Sequence, residues 1–119
     1  MVDEKIVEAF HLMWGNFPEP VMLVHKTREI LAVNEACSKA GGQVGIKCSS
    51  IGSPENHKRC RANQALASQQ AAYSKTESNG KTVIGFWIPV AGQPDIYVHF
   101  GVGTMIDYDN AAGCQPQQN

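Results

Sequence analysis

Three side chains near the middle of the chain, Cys48, His57 and Cys60, are of the types that hold metals or exchange electrons. Two thiolates and an imidazole make a partial tetrahedral zinc set. His25, His99 or a water would be needed as the fourth ligand. His57 and Cys60 stand three apart, so a helix through both would place them on one face. The same two sulfurs can instead join. A Cys48–Cys60 disulfide would close a loop of about 13 residues and stabilise by about 3 kcal/mol in the chain-entropy account. The plainest state is two buried thiols acting as small apolar side chains, beside an exposed imidazole. The spacing leaves metal, redox and structural readings open.

His99 lies in a second patterned segment. Alternation over residues 95–106 puts Ile96, Val98, Phe100 and Val102 on one strand face, and Tyr97, His99, Gly101 and Gly103 on the other. His99 is either a pocket residue or a surface imidazole bonded to a neighbour. Gly101 and Gly103 weaken a strand unless something approaches the backbone closely; the N-terminal helix and a ligand are the two candidates. Phe86, Trp87 and Tyr73 are large aromatics on strands, able to line a cavity or simply to fill the core. Leu66 is the one large apolar residue on a helix whose remaining apolar positions are Cys60, Ala62, Ala65 and Ala67. So thin a face leaves room for a ligand. Trp87, Phe86, His99, Tyr73 and Leu66 are therefore the candidate ligand contacts.

Other chemistries find no footing. Gly41, Gly42 and Gly45 fit neither G-x-G-x-x-G nor the P-loop pattern, and no C-x-x-C-H haem attachment occurs. Acidic residues are few and fall mostly at the N-terminus and in turns, without paired carboxylates or a Ser/His/Asp arrangement. No catalytic residue is expected, and the chain reads as a non-enzyme. The formal net charge of −1 gives no basic face for nucleic acid. No apolar run approaches the roughly 18 residues of a membrane span. The acidic, amphipathic start lacks the form of a signal peptide, so a cytoplasmic protein is expected. Its four cysteines (37, 48, 60 and 114) default there to free thiols.

The elements that must position these residues follow from periodicity. Ile6, Phe10 and Met13, with Val7 and Trp14 alongside, predict an amphipathic helix over 3–15, stopped by Gly15-Asn16 and Phe17-Pro18. Val21 to Val24 and Ile30 to Val33 predict two strands, 20–25 and 28–33, joined by a polar turn. Asn34 is a good N-cap for a short helix ending at Gly41-Gly42. A helical turn around 46–49 and a longer helix over 54–70 come next. Strands over 71–77, 81–90 and 95–106 complete the chain, the first two joined at Asn79-Gly80, a strong hairpin signal. Strands at both ends with helices between them argue for an α+β fold: a five-stranded antiparallel sheet with helices on one face. The polar residues 109–119 carry no core pattern and are expected to be a disordered tail.

This order, with FPEPVMLVHKTREILAVNEAC, GQVGIKC and a final three-stranded meander, resembles the PAS domain family over about residues 15–107. The most specific piece is the strand, charged turn, strand ending in Asn34, and small Ala36 in the next helix. Gly45-Ile46-Lys47-Cys48 is similar to a variant in many bacterial members, which carry a second Cys, often followed by a third, at the start of the central helix. Cys60 occupies the second place here, and the third is missing. The resemblance implies a PAS-like (profilin-like) fold: an N-terminal helix over 1–15, the domain over 16–108, and the tail. It implies a sensory or signalling module that binds a small ligand between sheet and central helices, or a signalling partner protein, and forms a homodimer through 3–15. It leaves the cofactor unknown. A haem ligand is one role that His99 would have in such a family. The flavin-binding members place a reactive Cys between Asn and Arg; Arg59 precedes Cys60, which argues against that photochemistry. A thiol-redox or metal switch at Cys48, Cys60 and His57, and a purely structural dimerisation module, are the alternatives.

Overall fold

The computed structural model describes residues 3–50, 60–78 and 80–108. His57, Asn79, Cys114, the first part of the 54–70 helix and the 109–119 tail lie outside the described residues.

Helix α1 (Glu4–Trp14) starts where Asp3 accepts the Lys5 N–H and stops at Gly15, whose N–H returns to the His11 carbonyl. Strands β1 (Val21–His25) and β2 (Ile30–Val33) form a hairpin. Helix α2 (Glu35–Lys39) follows directly, capped by the predicted Asn34. A 3-10 turn, Cys48–Ser50, stands where a helical turn was expected. Then come α3 (Ala62–Ser68), β3 (Ala72–Ser78), β4 (Lys81–Val90) and β5 (Gln93–Val102). The strands make one sheet in the order β2-β1-β5-β4-β3, antiparallel throughout. The first and last strands are thus the centre, which brings both ends of the folded chain together.

The predicted alternation of β5 divides the core in two. Ile96, Val98 and Phe100 face outward with Val21 and Leu23, and α1 lays Phe10, Ile6, Val7 and Trp14 on them. Phe100 is the hub of that layer, with ring centroids 5.0 Å from Trp14, 5.1 Å from Phe86 and 5.7 Å from Phe17. On the inner face Val24, Tyr97, Trp87 and Ala72 meet Ala62 and Ala65 of α3. One helix covers each side of the sheet, α1 the outer and α3 the inner.

Three expectations need correction. Helix α3 starts at Ala62, after Arg61, so Cys60 precedes the helix instead of riding on it. At its other end Gln69 has turned left-handed (φ 55°), a C-terminal stop that the helix-favouring residues around it concealed. Strand β5 ends at Val102, short of the predicted 106. The cause is Glu19, from the Pro-rich entry to β1. It is fully buried, and its carboxylate accepts the Gly103 N–H (2.7 Å), the Thr104 hydroxyl (2.6 Å) and the Met105 N–H (2.7 Å). These donors curl the chain away from the sheet. Nor does a ligand or α1 explain the glycines. A Cβ on Gly103 (φ 102°) would run into the Thr82 carbonyl, and one on Gly101 would crowd the Thr104 methyl at 3.1 Å.

Candidate functional site

The inner face under α3 gathers the polar and aromatic side chains. Trp87 and His99 are direct partners across β4 and β5, and their rings stack at 4.9 Å and 18°. The indole lies flat because Gly85 gives it space; a Cβ there would sit 3.2 Å from the ring. His99 Nδ1 lies 3.0 Å from the Phe86 carbonyl oxygen, which can only accept, so that nitrogen carries the proton. Leu66 packs on the same cluster from α3.

Two residues earlier on β5, Tyr97 is 1% exposed, with its hydroxyl 3.9 Å from the Cys48 sulfur. The Arg28 guanidinium stands over the phenol ring, 5.8 Å from its centroid. Arg28 reaches there because the β1–β2 turn takes φ 80° at this residue. It is held by bonds to the Lys26 carbonyl (2.8 Å) and to the Asn63 side chain on α3 (2.7 Å). The Cys48 N–H in turn donates to the Arg28 carbonyl (2.8 Å), tying the 3-10 turn to the hairpin.

The electrostatics follow from burial. Desolvation pushes the Tyr97 hydroxyl far above its ordinary value, and the neighbouring Cys48 and Cys60 thiols add to this while Arg28 opposes it. Burial likewise raises the Cys48 thiol; Cys60 contributes in the same direction, and Tyr97 and Arg28 pull the other way. Cys60 itself is exposed, and both are free thiols.

Of the candidate ligand contacts, Trp87, His99 and Leu66 are brought together on the inner face. Phe86 and Tyr73 are not with them. Phe86 stacks on Phe100 in the outer layer, and Tyr73, beside it at 6.2 Å, is 66% exposed. Of the thiol and imidazole trio, Cys48 and Cys60 share the electrostatic neighbourhood of Tyr97, while His57 lies outside the described residues. Among the described residues no three His, Cys, Asp or Glu side chains gather as a metal set. The sequence reading passed over Tyr97 and Arg28. Tyr97 was legible from its place on the His99 face; Arg28, read only as turn material, carried no comparable signal. Among the described residues no helix is long and apolar enough to cross a membrane.

No protein-family model matches the sequence, and no curated protein matches it. Solved structures do. A domain of an HTR-like protein from Haloarcula marismortui aligns with TM-score 0.58 at 20% identity, over 73% of this chain and 98% of that one. A sensory box sensor histidine kinase from Vibrio cholerae gives 0.61 at 12% identity, over 83% and 89%. The PAS domain of Bordetella pertussis BvgS gives 0.65 at 14% identity, over 90% and 91%. The likeness covers between 73% and 90% of this chain, which has the PAS fold.

Proposed function

We propose that this chain is a non-catalytic, cytoplasmic sensory module that binds a small ligand on the inner face of its sheet and passes the change to a partner protein, as a homodimer paired through α1. One observation carries the reading. The inner face combines a stacked Trp87–His99 pair, a buried Tyr97 hydroxyl and the Arg28 guanidinium beneath a helix whose apolar contacts with the cluster are Ala62, Ala65 and Leu66. A mainly apolar and aromatic lining with a few oriented polar groups is the composition of a small-molecule site. The structural likeness to a domain of a sensor histidine kinase supports the sensory role. For pairing, α1 keeps Leu12 83% and Met13 72% exposed after Phe10 has been buried. Apolar side chains of that size left in water on one helix favour a partner.

Native mass spectrometry of the purified chain tests both parts. The expected spectrum is a dimer carrying a bound small molecule that a Trp87→Ala exchange releases. A monomer that stays empty through a screen of aromatic and heteroaromatic ligands would overturn the reading.

A further inference from the structure

We propose that Cys48 and Cys60 form a hydroperoxide-responsive pair, closing to a disulfide that staples the 3-10 turn to the start of α3. Three observations bring them together. Cys48 packs against the cluster that contains Ala62, two residues beyond Cys60. Arg28 joins the same two segments, its carbonyl bonded to the Cys48 N–H at 2.8 Å and its guanidinium to Asn63 at 2.7 Å. Both sulfurs lie within electrostatic reach of the Tyr97 hydroxyl and of one another. Their exposures differ in a useful way. Cys60 is open to water and Cys48 is half-buried, so an oxidant meets Cys60 first.

The chemistry closes without a metal. The Cys60 thiolate attacks the O–O bond of a hydroperoxide; one oxygen goes to sulfur as sulfenic acid, and the other leaves as water or an alcohol after taking a proton. The Cys48 thiol then gives up its proton as its sulfur attacks the sulfenic sulfur. The S–S bond forms, the S–O bond breaks, and a second water leaves with the Cys48 proton. Two thiols are oxidised by two electrons, and one peroxide is reduced. The Cys48 sulfur that closes the bond is the one 3.9 Å from the Tyr97 hydroxyl, so closure bears directly on the inner face. The meaning of this event as a signal rests on the sensory role proposed above, but formation of the bond does not.

The test uses the full reduced chain treated with hydrogen peroxide, followed by thiol blocking, proteolysis and peptide mapping. The expected product has lost two hydrogen masses and yields a Cys48–Cys60 linked peptide that a reductant separates. In Cys48→Ser the Cys60 sulfenic acid should persist and react with dimedone; Cys60→Ser should give neither product. Recovery of both cysteines as blocked thiols, or linkage of Cys60 only to another chain or to Cys37 or Cys114, would overturn the proposal. Ligand capture by the reduced chain is read separately, so failure of the disulfide leaves the ligand reading to its own experiment.

Discussion

Two buried polar side chains do more for this molecule than their number suggests. Asn34 accepts N–H bonds from Val21 and Cys37, both at 2.9 Å, and its amide donates toward the carbonyls of Trp14, Phe17 and Glu19 at 3.0 to 3.2 Å. One side chain thus joins the end of α1, the entry loop, β1 and α2. Replacing it with Ala strands buried donors and acceptors together. Asn34→Ala should cost about 2–4 kcal/mol, more than an exposed cap would, measured by urea unfolding. A loss under about 1 kcal/mol would mean that water takes over these bonds. The capping role of Asn34 was legible because its helix is adjacent in sequence. The three carbonyls were not, because they lie 15 to 20 residues away and no local pattern encodes them.

Glu19 has the opposite history: nothing in its Pro-flanked setting marks it as buried. Burial acts to raise its carboxyl, but the bonds from Gly103, Thr104 and Met105, with Tyr108 beside them, outweigh it and hold the group below its ordinary 4.5. In that range the folded chain binds fewer protons than the unfolded one. The stabilisation is therefore complete above pH 4.5 and is lost as pH falls through the lowered value. Glu19→Gln should destabilise at neutral pH by about 1–3 kcal/mol, since the amide offers a donor where only acceptors fit. Its thermal midpoint should also depend less on pH below 4.5 than the parent's. Parallel pH profiles for the two proteins would show that Glu19 is not the group responsible.

At the scale of elements, α1, α2 and the strand faces were readable, while the bounds of α3 and the end of β5 were not. Period-two alternation placed the faces of β5 correctly because each face meets a different apolar layer. The same rule applied to Phe86 and Trp87 separates them, since adjacent strand residues point to opposite sides. Reading the pair as one cavity wall overlooked this. Helix α3 was overextended because helix-favouring composition carries no information about where tertiary contacts begin. The end of β5 depends on Gly103, whose positive φ and contact with the Thr82 carbonyl admit no side chain. Gly103→Ala combines backbone strain with a clash against backbone. A loss of about 2–4 kcal/mol is expected from those two sources. Hydrogen exchange should quicken at Gly103 and Met105, whose amides Glu19 now protects. Unchanged exchange at both would place the strain elsewhere.

The whole molecule is organised around the meeting of its ends. β1 and β5 are central neighbours, so α1, which precedes one, and the segment leaving the other emerge side by side, linked by Glu19 and Asn34. A signal from the inner face has a short path to both through β5, which carries Tyr97 and His99 inward and Val98 and Phe100 outward. That geometry separates two jobs of α1. Phe10 is 2% exposed and holds the helix to the sheet, whereas Leu12 and Met13 face water. Phe10→Ala should cost about 3–5 kcal/mol of fold stability at any protein concentration, because it opens a cavity against the outer layer. Leu12→Glu with Met13→Glu removes no packed contact, so in dilute protein it should shift stability by less than about 0.5 kcal/mol for each exchange. At high concentration the double variant should sediment as a monomer where the parent sediments as a dimer. If the variant still paired, the interface would lie off this side of α1. If it unfolded, Leu12 and Met13 would belong to the core and not to a contact between copies.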